Sequence, residues 1–199
     1  MEKLIVPLDI LRDIAKGHNC YDIAAPILND SRFPIWSGSS KKGQHHYGKG
    51  GLAQHTMEVV HLCAITSAYQ SAILKRKINY KLLYLAALYH DVGKMWDYEP
   101  QPQWNQPLLP SGESAQYIEW QGNDHKRNIH HISRSAITLV KNNQQIQALT
   151  NDEEDEVVHA ILAHHGLREW GSPISPNSSI AWILHYSDGI SARLNETVK

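Results

Sequence analysis

YKLLYLAALYHDVGK, residues 80–94, decides how this chain is read. From Tyr80 to His90 it is apolar almost all round. A helix that is hydrophobic on every side belongs at the centre of a bundle rather than on its surface. His90 and Asp91 close that helix, so two polar, ionisable groups stand where burial should be deepest.

The flanks extend the helical reading. Upstream, Leu52, Val59 and Leu62 follow the 3.6-residue period and predict a helix from Leu52 to about Lys75. Leu4–Lys16 and Tyr21–Leu28 read as short helices, and Asn29–Gly51, with Pro34 and several Ser and Gly, as loop. Downstream, Asp91–Gly122 carries Pro100, Pro102, Pro107 and Pro110 and reads as a long irregular excursion. Trp96, Tyr98, Trp104, Tyr117 and Trp120 favour an ordered flap there. Helical spacing resumes near Asn128 with Ile129, Ile132, Ala136 and Val140. Thr150-Asn151-Asp152-Glu153 is a capping-box pattern, and the acidic run after it complements the helix dipole. That helix runs to about His165, and Gly166–Asn177 reads as loop. A last helix, Ser178 to about Leu194, carries Ile180, Ile183, Leu184, Ser187, Ser191 and Leu194 on one stripe. No strand alternation of useful length is visible. The expected fold is all-α: a single domain over 1–199, six to eight helices, a long irregular loop after His90-Asp91, and a motif-bearing core over about 40–194.

Composition narrows the function. The chain has 199 residues and a formal net charge of -1, which argues against a protein that coats a polyanion. The longest nearly apolar run, Leu82–Tyr89, is far short of the roughly 20 residues a membrane span needs. The first 17 residues carry Asp9 and Asp13 and lack the apolar core of a secretory signal. Cys20 and Cys63 form no CxxC and read as buried thiols, so the cytoplasm is the expected location. Histidine is in surplus: 13, against 1 Phe, 3 Met and 2 Cys, which an apolar core does not require.

The histidines fall in a pattern. His55 lies three residues after Leu52 and four before Val59, on the apolar stripe of its helix. His90 and Asp91 end the most buried helix. His130 and His131 begin another, His164 and His165 end the acidic-start helix, and Asp188 lies four residues after Leu184 inside the last stripe. Several helices thus each point a His or a carboxylate inward. Burying ionised carboxylates is costly unless they are paired or bind metal. Imidazole and carboxylate together suit Mn, Fe, Ni or Zn.

The order of blocks GGLAQHT, AALYHDVGK, HHIS, ILAHHG, EWGSP and ILHYSD resembles the HD superfamily of metal-dependent phosphohydrolases over roughly Ser40 to Leu194. It is most similar to the HD half of bacterial 3′–5′ exoribonucleases that join an OB-fold to an HD domain. No OB-fold is read in this chain, and its tryptophan-bearing loop differs from theirs. GGLxxH and HDVGK also resemble the HD domain of certain conjugative relaxases.

The resemblance implies that His55, His90, Asp91 and Asp188 hold one metal ion. It implies that Asp91 bridges to a second ion, completed by His131 and His164, with His130 as the rival to His131. His165 would take metal or phosphate, and His46 (or its neighbour His45) would sit beside the substrate or behind the ligands. Asp91 and Lys94 would serve the catalytic step. Lys94 is alternatively a cation at a helix C-terminus, and Arg168 could fork to a phosphate. Trp104 and Trp170 could stack on a base or simply pack down their loops.

The implied function is a phosphoester hydrolase using a metal-activated water on a nucleotide or nucleic-acid end. One alternative is a nucleotidase or dNTP hydrolase acting on monomers. Another is a mixed-valence di-iron oxygenase on the same ligand pattern. A regulatory nucleotide-binding module is a weaker fit to a full ligand set. A homodimer packed through Trp-rich loops is a further option.

Overall fold

A computed structural model describes residues 8–108 and 114–194, with side chains described outside 102–118. The chain begins with α1 (Leu8–Gly17), α2 (Tyr21–Leu28) and α3 (Gly51–Ile73). Next come α4 (Tyr80–Tyr89), the short α5 (Lys94–Asp97), β1 (Tyr98–Leu108) and β2 (Ser114–Gly122). It continues with α6 (Asp124–Asn128), α7 (His131–Ile146), α8 (Asn151–Leu162) and α9 (Ser179–Leu194). Among the described residues the fold is an all-α bundle with one β-hairpin.

α4 is the central helix. Every residue from Leu82 to Tyr89 is buried, and α3, α7, α8 and α9 pack around it. Asn79 caps its start by accepting a hydrogen bond from the Leu82 N–H. The two tyrosines bury their rings and still satisfy their hydroxyls. Tyr84 donates to the Leu11 carbonyl at 2.7 Å and Tyr89 to the Ile23 carbonyl at 2.5 Å. These bonds tie α1 and α2 to the core without leaving a buried donor unpaired. α8 starts where its sequence signal falls: Thr150 and Glu153 form a reciprocal capping box.

The described part of the excursion after His90-Asp91 forms a β-hairpin, where the sequence predicts an irregular loop held as an ordered flap. After a tight turn and α5, β1 and β2 pair antiparallel in register from Tyr98↔Gly122 to Asn105↔Ala115, with an irregularity before Leu108↔Ser114. Pro100, Pro102 and Pro107 lie within β1. Proline is tolerated on edge strands, and in a two-stranded ribbon both strands are edges. The hairpin is anchored at its base. Trp120 meets Trp36 edge-on at 4.9 Å, and the Trp36 indole N–H donates to the Lys94 carbonyl at 3.0 Å. The Trp104 and Tyr117 side chains lie outside the described residues, as does Leu4 of the first expected helix.

Gly93 sets the turn between α4 and α5 against the start of α7. A Cβ there would lie 2.2 Å from the His131 carbonyl oxygen and 2.7 Å from its Cα. The Gly93 N–H also donates to Ser135 Oγ at 2.9 Å. Gly93→Ala is therefore expected to cost about 1–3 kcal/mol through overpacking. A thermal melt would show this as a fall of several degrees. An unchanged melting temperature would mean that this contact is looser than described.

Candidate metal centre

Five helix-borne segments converge where α4 ends. His55 comes from α3, His90 and Asp91 from the end of α4, His131 from the first residue of α7, His164 from just after α8, and Asp188 from α9. His55, His90, Asp91, His131 and His164 are buried, while the Asp188 side chain is 16% exposed and forms the open edge.

Asp91 divides the cluster. Its Oδ2 lies 3.3 Å from His55 Nε2 and 3.5 Å from His90 Nε2. His55 Nε2 is also 3.0 Å from Asp188 Oδ1 and 3.2 Å from His90 Nε2. The other oxygen, Oδ1, lies 3.3 Å from His131 Nε2 and 3.7 Å from His164 Nε2. Atoms bound at about 2.1 Å to one tetrahedral or octahedral ion stand roughly 3.0–3.5 Å apart. Most of these separations fall in or near that range on both sides of Asp91.

Hydrogen bonds fix which ring nitrogens face inward. His90 Nδ1–H donates to the Ala87 carbonyl at 2.7 Å, and His164 Nδ1–H donates to the Ile161 carbonyl at 2.6 Å. His131 Nδ1 lies 3.3 Å from Asp97 Oδ2, and its backbone N–H donates to the same oxygen at 3.0 Å. His55 Nδ1–H donates to Ser191 Oγ at 3.0 Å, and Ser191 in turn donates to Glu58 Oε2 at 2.7 Å. Each ring thus presents Nε2 to the cluster. Such partners are how metal-ligating histidines are held in one tautomer.

The chemistry of the cluster fits a cation. Asp91 Oδ1, His131 Nε2 and His164 Nε2 are buried with no hydrogen-bond partner among the described residues. Burial holds the His131 imidazole down at about 4 against the pull of Asp97, and holds His164 well below its ordinary range. Both rings are therefore neutral at pH 7, and three lone pairs meet with no proton between them. A buried unpaired polar atom costs about 1–3 kcal/mol, so three at one point call for a positive ligand. On the other side, burial pushes His55 down, but Asp188 and Asp91 outweigh it and raise it to about 9. One His55 Nε2–H cannot serve Asp188, Asp91 and His90 at once. Asp91 is held well below the carboxylate range despite burial, by Lys94 and then His90.

The other expected residues take varied places. Lys94 begins α5 and is buried, with Nζ 2.5 Å from Asp91 Oδ2, so the reading of it as a cation at a helix C-terminus does not hold. His165 is half-buried, its ring 5.3 Å from that of His131 and 4.3 Å from that of His164. His46 is buried, with Nε2 3.0 Å from Glu58 Oε2 and its ring 4.9 Å from that of His55. A Cβ on Gly51 would meet the His46 carbonyl oxygen at 1.8 Å, so glycine is required for the loop to close over α3. His130 has φ 67°, its ring lies 4.1 Å from that of His131, and one of its nitrogens is close enough to His131 and Asp97 for the three to share a cation. Arg168 is exposed on a short 3-10 turn (Arg168–Trp170) and is not among the described residues that line the cleft over the cluster. That cleft, about 460 Å³, is bordered by Gln44, His165, Trp170, His185, Asp188 and Arg193 among others.

The sequence reading missed Asp97, Glu58 and Ser191. Asp97 is fully buried and accepts from His131 and, at 2.8 Å, from His125 Nδ1–H. Asp97→Asn keeps the shape and removes the charge that orients His131. Metal affinity is expected to fall about 10–100-fold, measurable by titration with a metal-indicator dye. Undiminished affinity would leave Asp97 as a packing residue only.

A helical bundle carrying this His/His-Asp/Asp cluster has the arrangement that its sequence blocks lead one to expect. The chain belongs to the HD domain family, which matches residues 52–193, and so to the superfamily of metal-dependent phosphohydrolases. It is similar to the 3′-5′ exoribonuclease YhaM of Bacillus subtilis (strain 168), 32% identical over 170 residues, 84% of this chain and 46% of that one. It is also similar to YhaM of Bacillus pumilus (strain SAFR-032), 31% identical over 152 residues, 76% of this chain and 41% of the relative. The chain spans less than half the length of these relatives. No solved structure matches it. No helix among the described residues is long and apolar enough to cross a membrane.

Proposed function

We propose that this chain hydrolyses phosphodiester bonds at the end of a single-stranded nucleic acid, RNA in the first instance, with two divalent ions. The observation that carries the reading is the division of Asp91, one oxygen facing each half of the cluster. His55, His90, Asp91 and Asp188 would hold one ion, and Asp91, His131 and His164 the other. The nitrogen and oxygen donor set suits Mn, Fe, Ni or Zn. Bound divalent metal supplies a water of lowered pKa as nucleophile and neutralises charge on the phosphate oxygens. Lys94 holds the bridging carboxylate in place and adds positive charge to the floor of the site. His165, beside the second ligand group and on the cleft wall, would hydrogen-bond a phosphate oxygen or protonate the leaving group. The RNA substrate is supported by the exoribonuclease relatives.

The test is hydrolysis of bis(p-nitrophenyl) phosphate with Mn, followed by oligoribonucleotides against mononucleotides. Cleavage of the diester and of oligoribonucleotides supports the reading. Cleavage of mononucleotides alone replaces it with a nucleotidase, and an intact diester removes it.

A further inference from the structure

We propose that a groove along the outer side of α9 seats the base of the nucleotide next to the scissile phosphate, the strand crossing from the cleft over Gly189. The proposal rests on the nuclease reading and assigns it a binding site.

Three stripes of α9 stand in order across the helix. Asp188 faces the metal cluster. His185, Gly189 and Arg193, spaced four apart and so on one face, line both the cleft and a second cavity of about 320 Å³. Tyr186, Ile190 and Leu194, the next stripe, line that second cavity. The two cavities therefore meet at His185, Gly189 and Arg193.

The rings at this junction are displayed rather than packed away. Trp170 is 60% exposed and Tyr186 61% exposed. Trp170 lies near-parallel to His185 (5.7 Å, 28°), and Tyr186 near-parallel to Trp182 (5.7 Å, 22°). Each exposed ring is thus braced by another ring and held flat, as a stacking platform for a base requires. Trp170 borders the cleft and Tyr186 the groove, so a strand passing between them meets one platform on each side of the junction. Arg193 lines both cavities, where its guanidinium would meet the phosphate between two bases. Flat aromatic faces alternating with a guanidinium match a nucleotide chain better than a peptide.

Gly189 supplies the second observation. It lies inside α9, where glycine is among the poorest helix formers. No packing among the described residues demands it: a Cβ built there meets none of their atoms within 4 Å, and its φ is not in the left-handed region. What a side chain at Gly189 would occupy is the passage between the two cavities.

The experiment measures binding of a fluorescent hexauridylate by anisotropy, with thermal melts alongside, for Gly189→Leu, Tyr186→Ala and Tyr186→Trp. Gly189→Leu is expected to keep or raise the melting temperature and weaken binding by at least about tenfold. Tyr186→Ala is expected to weaken it about tenfold, and Tyr186→Trp to restore it. Wild-type affinity in both Gly189→Leu and Tyr186→Ala overturns the groove while leaving a nuclease that cleaves oligoribonucleotides intact. A wild-type protein that binds no oligonucleotide yet cleaves mononucleotides overturns the nuclease reading, and the groove with it.

Discussion

Asp91→Asn is expected to lose bound metal and hydrolytic activity together, the rate falling by at least about a thousandfold. The reason is geometric. Asp91 is the residue whose two oxygens face both halves of the cluster, at 3.3 Å from His55 and 3.3 Å from His131. An amide keeps one carbonyl oxygen and turns an N–H toward the other half, so it cannot bridge. Removing a single oxyanion-hole donor already costs about 10²–10³, and the loss of the proposed bridging ligand should exceed that. One complication is built in. Lys94 Nζ rests on Asp91 Oδ2 in a buried setting, and breaking such a pair costs about 3–5 kcal/mol. Loss of function in Asp91→Asn alone would then mix ligand loss with unfolding. Adding Lys94→Met removes the stranded ammonium. The double variant should regain melting temperature and still hold no metal. Metal content and melting curves, taken together, check both halves. A folded variant that retains metal and turnover would contradict the assignment.

The second large effect is metal-linked stability and its dependence on pH. Any ion that binds only the folded chain stabilises it by about 2.7 kcal/mol at one hundred times its dissociation constant. For a chain of this size that is roughly 5–11 °C in melting temperature. The increment should grow with pH. In the metal-free protein His55 is raised from 6.5 to about 9. A raised pKa contributes stability that is complete below pH 6.5 and lost as pH rises through 9. Metal entering between His55, Asp91 and Asp188 displaces that proton, so affinity on this side rises with pH up to about 9. The His131 side differs, since that ring is already neutral above about pH 4. Melting temperature measured with Mn and with chelator from pH 6.5 to 9 should show the gap widening. A gap that is constant or shrinks over this range would contradict proton displacement at His55.

Much of the centre was legible because helical spacing carries it. His55 and Asp188 lie on apolar stripes, and a polar group on such a stripe must point inward. His90-Asp91 follows the most uniformly apolar helix, and the structure buries both. The same rule, pushed one step further, would have found two missed groups. Glu58 is three residues after His55 and Ser191 three after Asp188, and both join the chain of hydrogen bonds behind His55. Asp97 had no such signal. It follows Trp96 in a segment without periodicity, and its partners His125 and His131 are 28 and 34 residues away. Only the folded turn at Gly93 brings them together. The hairpin was hidden for a related reason. Three prolines in β1 argue against a strand in a sheet interior, but not in a two-stranded ribbon, where both strands are edges. Arg168 shows where spacing in the chain stops informing: it follows His164 and His165 closely, and the turn after α8 leaves it exposed.

The proposed function requires a carboxylate shared between two ions, and metal counting reads that directly. The measurement is the number of ions per chain by elemental mass spectrometry, in wild type and in a His131→Ala, His164→Ala double variant, after loading with Mn and removal of excess. The account predicts about two ions per chain in the wild type and about one in the variant. One ion in both, or an undiminished pair in the variant, would contradict it.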